Sequence, residues 1–330
     1  MGSWFSYAEQ SKHYFARPHE GPAPGPVGGA AAWRRADASD PARWRHALDA
    51  DQQDELRRAV AHARATGRGV GHLRPDDFPL PTLAAEIARW RETLQTGRGF
   101  QVVSGVPVDA WSEDDAGLCF LGLGLHLGRP GAQNPQGDLL GHVRDTGEDA
   151  ADPFVRLYRT ASHIAYHCDA ADVVGLLCLR KASRGGASRI VSSVSVHDEV
   201  ARRRPDLLPR LYQPFRLDIR NEDASGALRH LPVPPCRFAD GRLRTFYHSD
   251  YFRSAVRHDD VPEFSDEERE LLDLYEAIAE DPDFYLDMDL ARGDVQWLSN
   301  HTILHSRTAY EDHADPGQKR HLLRLWLSIA

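Results

Sequence analysis

Hydrophobic positions change their period partway along this chain. In the first half they follow a helical spacing. Residues 50–66 make a polar helix candidate, and residues 82–96 place Leu83, Ile87, Trp90 and Leu94 on one face, with Gly97 as the stop. "GFQVVSGVPV" reads as a strand and turn. Ser112 to Asp115 resembles a capping box opening a helix through "AGLCFLGLGLHLG". After about residue 150 the pattern breaks into short apolar or alternating runs separated by Gly, Pro and Asp. Strands are expected at 154–159, 172–180, 188–193, 214–219, 243–247, 284–288, 295–299 and 320–328. One helix interrupts them: Ser265 and Glu268 form a capping box, and Leu271, Leu272, Tyr275 and Ile278 supply its apolar face.

Many short strands with inserted helices predict a mainly β, α+β protein: a jelly-roll barrel flanked by an N-terminal helical region. The stretch "RPHEGPAPGPVGGAAA" (17–32) is rich in Pro, Gly and Ala, so residues 1–45 are expected to be a poorly structured leader. Residues 46–330 are then one domain, with 46–96 as its helical decoration.

Composition narrows the function classes. The 330 residues carry a net charge of −9, with acids and bases interleaved, which argues against a nucleic-acid partner. Four cysteines form no C-x-x-C pair and no regular framework, so neither disulfides nor structural zinc is expected. Reduced thiols, no signal-peptide pattern and no long apolar run predict a cytoplasmic protein without a membrane partner. A small-molecule substrate is expected, and homo-oligomerisation is left open.

The chemistry sits in "HIAYHCDAADVVGLLCLR" (163–180). On a strand, residues two apart point the same way, so His167 and Asp169 aim at one point while Cys168 faces away. A third ligand would complete the two-histidine, one-carboxylate set of non-haem Fe(II), and "VQWLSNHTILHSRTAY" offers His301 and His305. A second H-x-D stands at His248–Asp250. His163 and His167, four apart, would suit zinc on a helix, but the valine- and leucine-rich run that follows favours a strand, and no general-base glutamate lies between residues 149 and 198. In "RHLLRLWLS", one face carries Leu323, Leu325 and Leu327, and the other Arg320, Leu322, Arg324 and Trp326. If the second face points into a barrel, its arginines need an anion. A guanidinium fork beside an iron site suits a dicarboxylate cosubstrate.

His167-Cys168-Asp169, "SRGGAS" (183–188), "NHTILHSRTAY" (300–310) and "RHLLRLWL" (320–327) together resemble the taurine dioxygenase (TauD/TfdA) family, from about residue 97 to the C-terminus. The resemblance implies a double-stranded β-helix core. It also implies Fe(II) as cofactor, 2-oxoglutarate as cosubstrate and O₂ as oxidant, with oxidation of an unactivated C–H bond coupled to release of succinate and CO₂. On this resemblance His167, Asp169 and His305 are the iron ligands, leaving His301 a structural neighbour. Arg320 holds the distal carboxylate of 2-oxoglutarate, and Ser188 stands where the family usually has a hydrogen-bonding threonine. The carboxylate at Asp169 favours hydroxylation over halogenation. Arg324, Asn134 and His248 are expected as substrate or cosubstrate contacts, and Arg324 hints at an anionic substrate such as an amino acid or a carboxylate. The polar insertion 218–235 is a candidate lid. The rival from another class is a catalytically silent barrel that only binds metal or ligand.

Overall fold

The computed structural model describes residues 4–152, 154–220, 223 and 228–329. Two sheets face each other. The larger runs, in spatial order, through strands Arg45–Ala47, Phe100–Ser104, Val295–Ser299, Val173–Arg180, His321–Ser328 and Arg129–Gly131, with Leu140–Val143 also on His321–Ser328. The smaller runs through Tyr285–Met288, Ser188–Ser192, Ile303–Arg307 and Ile164–His167.

Alternation along each strand divides the large sheet's residues between two cores. Val173, Leu177, Val295, Trp297, Leu323, Leu325 and Leu327 pack outward against the helices Ala50–Ala65, Leu83–Gln95 and Glu113–Leu127. Val174, Leu298, Leu322 and Trp326 pack inward, where they meet Ile190 and Ile303 of the small sheet. The small sheet's outer face is covered by helices Ser193–Arg203 and Asp266–Ala279, with Val191, Val194, Leu271 and Tyr275 fully buried. Arg320 and Arg324, on the inward face at the last strand, therefore lie between the sheets, which meets the condition set by the sequence pattern. The expected helix caps form: Ser112 Oγ accepts from Asp115 N–H, and Ser265 and Glu268 close a reciprocal capping box.

Three expectations change. The segment before residue 46 is not a loose leader. Ser6 and Glu9 close a capping box on helix Tyr7–Phe15, and Tyr14 and Trp33 are buried. Long-range hydrogen bonds hold the segment: in the helix Tyr14 donates to the carbonyls of Thr245 and Asn300, and in the Pro/Gly stretch Val27 and Gly28 N–H donate to Asp198. Residues 154–159 are not a strand. Leu157–Arg159 form a 3-10 turn instead, with Arg159 N–H donating to Arg156 O (2.9 Å), and the carbonyls of Leu157, Thr160 and Ser162 accept from the Arg307 guanidinium. The run 188–193 ends one residue early because Ser192 caps a helix, its Oγ accepting from Ser195 N–H. Of the insertion 218–235, the two ends pair as antiparallel strands Phe215–Asp218 and His230–Val233. Residues 221–222 and 224–227 lie outside the described residues, and so does the candidate lid they would form. Among the described residues no helix is long and apolar enough to cross a membrane.

Candidate metal centre

Strand register brings the first two candidate ligands together. His305 lies directly opposite His167 on the neighbouring antiparallel strand, with ring centroids 4.1 Å apart. Two residues beyond His167 the chain turns, and Asn300 fixes the turn: Asp169 N–H donates to Asn300 Oδ1 (3.1 Å), and Asn300 Nδ2 donates to Ala171 O (2.9 Å). Asp169 Oδ2 then stands 3.7 Å from His305 Nε2, and one ligand atom from each of His167, Asp169 and His305 lies within 4.8 Å of the others.

The residues fit a metal ion. Asp169 Oδ2 is buried with no hydrogen-bond partner, a costly state unless something else uses its lone pairs. His167 Nδ1 lies 2.9 Å from Ala165 O, which requires the ring proton on Nδ1 and leaves Nε2 free to ligate. Burial, followed by the neighbouring His167, pushes His305 down to about 3, and burial also lowers His167, so both imidazoles are neutral at physiological pH. Burial pushes the Asp169 carboxyl upward, but Arg324, His305 and His167 together outweigh it and hold it below the usual carboxylate range.

Two clefts meet at this cluster. The first is lined by His167, Asp169, His305, Ser188, Arg307, Arg320 and Arg324. Arg320 is buried and stacks over Tyr310 at 5.0 Å, and its Nη1 has no partner. Gly186 (φ +72°) permits that approach, since a Cβ there would sit 2.9 Å from Arg320 Nε. Ser188 Oγ donates to Gln296 Oε1 (3.0 Å) and stays on the cleft wall. Arg307, which sequence reasoning missed, adds a second buried guanidinium with Nε and Nη1 unpartnered. Burial, then the charge of Arg320, lowers it to about 10. The signal was present as the arginine two residues after His305, on the same face of the strand.

The second cleft lies across the cluster and is lined by Arg156, Tyr158, His167, Asp169, Arg220, His248, Tyr251 and Arg324. His248 belongs here: it bridges to His167 across the backbone and stacks on Tyr251 at 3.7 Å. Burial pushes it well below the ordinary histidine value. Arg324 reaches both clefts but is largely committed. Its Nε donates to Gln133 Oε1 (2.6 Å), and its Nη1 lies 3.5 Å from Asp169 Oδ1. Gln133 in turn donates to the carbonyls of Leu139 and Arg324. Asn134 does not reach either cleft. Its side chain is spent in a surface turn, donating to Asp138 Oδ2 and accepting from Asp138 N–H. His301 is turned away from the cluster and bonds Asp172 (2.9 Å).

Two imidazoles and one carboxylate between facing sheets, with buried guanidiniums that keep unpartnered nitrogens in the same cleft, are the donor set of a non-haem Fe(II) oxygenase. Comparison with known proteins agrees. The model of the "Taurine catabolism dioxygenase TauD, TfdA family" matches residues 61–326. A curated relative, the FR-33289 synthase of Streptomyces rubellomurinus, is 30% identical over 316 residues, covering 92% of this chain and 91% of the relative. Among solved structures, asparagine oxygenase in complex with Fe(II), 3-hydroxyasparagine and succinate superposes with a TM-score of 0.70 at 18% identity, covering 87% of this chain and 94% of the other. The non-haem iron oxygenase OrfP with Fe and alpha-ketoglutaric acid gives 0.66 at 13%, covering 86% and 93%. The chain belongs to the TauD/TfdA family and is an Fe(II)- and 2-oxoglutarate-dependent dioxygenase.

Proposed function

We propose that this dioxygenase hydroxylates a C–H bond of a small anionic substrate, with His167, Asp169 and His305 holding the iron and the substrate bound in the cleft of Arg156, Arg220 and His248. The observation that carries the assignment of the ligands is the buried, partnerless Asp169 Oδ2 between two neutral imidazoles. When bound, Fe(II) supplies the centre at which 2-oxoglutarate is oxidatively decarboxylated and the substrate oxidised.

Arg320 receives the distal carboxylate of 2-oxoglutarate, and Arg307 deepens the positive field at that end of the cleft. Ser188 reaches the same carboxylate by turning its hydroxyl proton away from Gln296 Oε1. Arg324 acts as a positioning residue: stacked between Tyr158 and Trp326 and tethered by Gln133, it keeps Asp169 ionised and fixed. Substrate then contacts the remaining cations. Arg220 lies over Tyr251 at 4.2 Å with its buried Nε unpartnered, so a carboxylate in this cleft gains a charge-assisted partner without displacing one. The four buried, unpaired cysteines support a reducing, cytoplasmic setting.

The test is succinate formation with a panel of acidic, neutral and basic amino acids and simple carboxylates, scored for products that gain one oxygen atom. Coupled turnover by anionic members that collapses in Arg220→Gln is the expected result. Turnover by neutral or basic members alone, unaffected by Arg220→Gln, would contradict the substrate reading.

A further inference from the structure

A second cavity lies behind the turn that follows Asp169, away from both clefts of the metal cluster. Its volume is about 420 Å³ against about 70 Å³ for the cleft at Arg320, within the range of small-molecule sites. Arginines dominate its polar wall. The hairpin Cys236–Ala239/Arg242–Thr245 turns at Asp240–Gly241, both with positive φ (54° and 69°), the conformation of a tight two-residue hairpin turn. The period of a strand then sets Arg242 and Arg244 on one side, where both line the cavity with Arg17.

The one carboxylate among the described residues of this wall is already used. Asp172 accepts from Arg17, His13, His301 and the N–H of Ile329. Its hydrogen bonds are thus taken by others, and together with Asp240 it reaches Arg244 only through space, which burial and the charges of Arg17 and Arg242 outweigh. Three donors on the wall stay unpartnered although buried: Arg244 Nη1, Arg17 Nε and the Thr302 hydroxyl. A guanidinium nitrogen removed from water without an acceptor is unfavourable, and here it is held beside two further guanidinium groups that repel it.

The geometry points to a second anion-binding site in this cavity, taking a small organic anion by its carboxylate or phosphoryl group between Arg17, Arg242 and Arg244, with Thr302 as an added donor. An anion there would offer acceptors to the orphaned guanidinium donors of this wall. The site is separate from the one that holds 2-oxoglutarate, since it shares none of Arg320, Arg307 or Ser188.

Inorganic phosphate and acetate, each titrated calorimetrically into the full-length, iron-loaded protein, test this. Arg320→Leu serves as the control that disables the cosubstrate end of the other cleft, and Arg244→Gln and Arg244→Lys are the test variants, each first checked for an unchanged melting temperature. The expected result is that wild type and Arg320→Leu bind at least one of the two anions equally. Arg244→Gln should weaken that binding by about tenfold or more, with Arg244→Lys in between. No binding by wild type, binding lost in Arg320→Leu, or equal binding by wild type and Arg244→Gln would each overturn the proposal.

Discussion

Asp169 and Asp172 stand three residues apart, both buried, and each sits between two histidines and an arginine. Their neighbours treat them differently. Asp172 is saturated: Arg17 and His301 approach one oxygen, and His13 and the backbone N–H of Ile329 the other. Asp169 has Arg324 at 3.5 Å on one oxygen and no hydrogen bond on the other, where His305 Nε2 stands at 3.7 Å. Composition cannot tell the two clusters apart, but satisfaction can. A buried carboxylate whose lone pairs are filled ties chain segments together, here the N-terminal helix, the turn after Asp169 and the C-terminal strand. One with an empty lone pair beside two neutral imidazoles is poised to hold something else.

The sharpest way to break this contrast is to remove a proposed ligand. Asp169→Asn or His305→Ala should weaken Fe(II) binding by more than about a hundredfold, beyond what losing a ligand's outer hydrogen-bond partner costs. Equilibrium dialysis against Fe(II) measures this, and the melting temperature should change little. Asp172→Asn should do the opposite, lowering stability by about 3–5 kcal/mol because it strands buried partners, with iron stoichiometry kept. That loss depends on pH in a defined direction. The three donors from His13, His301 and Arg17 outweigh the upward push of burial and hold the Asp172 carboxyl well below the usual range. Its stabilisation is therefore present above the unfolded value near pH 4 (~3.9) and is lost as pH falls toward the folded one. Urea titrations of wild type and Asp172→Asn should converge on acidification.

Much of this was legible in the sequence. The inward face of the last strand and the H-x-D pair follow from period-two alternation, the choice of His305 over His301 came from the family resemblance, and the structure brings those residues together. What was not legible depended on partners remote in the chain. Helix Tyr7–Phe15 lies inside the segment expected to be loose, and the Pro/Gly stretch after it is ordered by contacts with Asp198 and Phe238. Arg324, expected as a substrate or cosubstrate contact, lines both clefts, but a strand pattern gives its direction and not its commitment to Gln133 and Asp169. Arg220 and Arg156, which face the second cleft, follow no local pattern at all. Asn134 was expected as a substrate or cosubstrate contact, but the tight turn closed by Asp138 takes up its side chain, while the preceding Gln133 points inward to Arg324.

Smaller effects sharpen the picture further. Arg320→Leu should raise the 2-oxoglutarate KM by about two orders of magnitude, the scale of losing one partner of a buried, hydrogen-bonded charge pair, with Fe(II) affinity unchanged. Arg220→Gln should raise the substrate KM by about tenfold while leaving the 2-oxoglutarate KM alone, so steady-state kinetics in both substrates separate the two clefts. Asn134→Ala should shift stability by no more than about 0.5 kcal/mol and leave both KM values unchanged.

The most direct test of the metal and cosubstrate assignment is the visible charge-transfer band that forms when Fe(II) and 2-oxoglutarate bind together to metal-free protein under anaerobic conditions. The account predicts a band in the wild type, none in His305→Ala, and in Arg320→Leu a band that appears only at much higher 2-oxoglutarate. A wild-type protein that binds iron but shows no band, or a band untouched by either substitution, would contradict it.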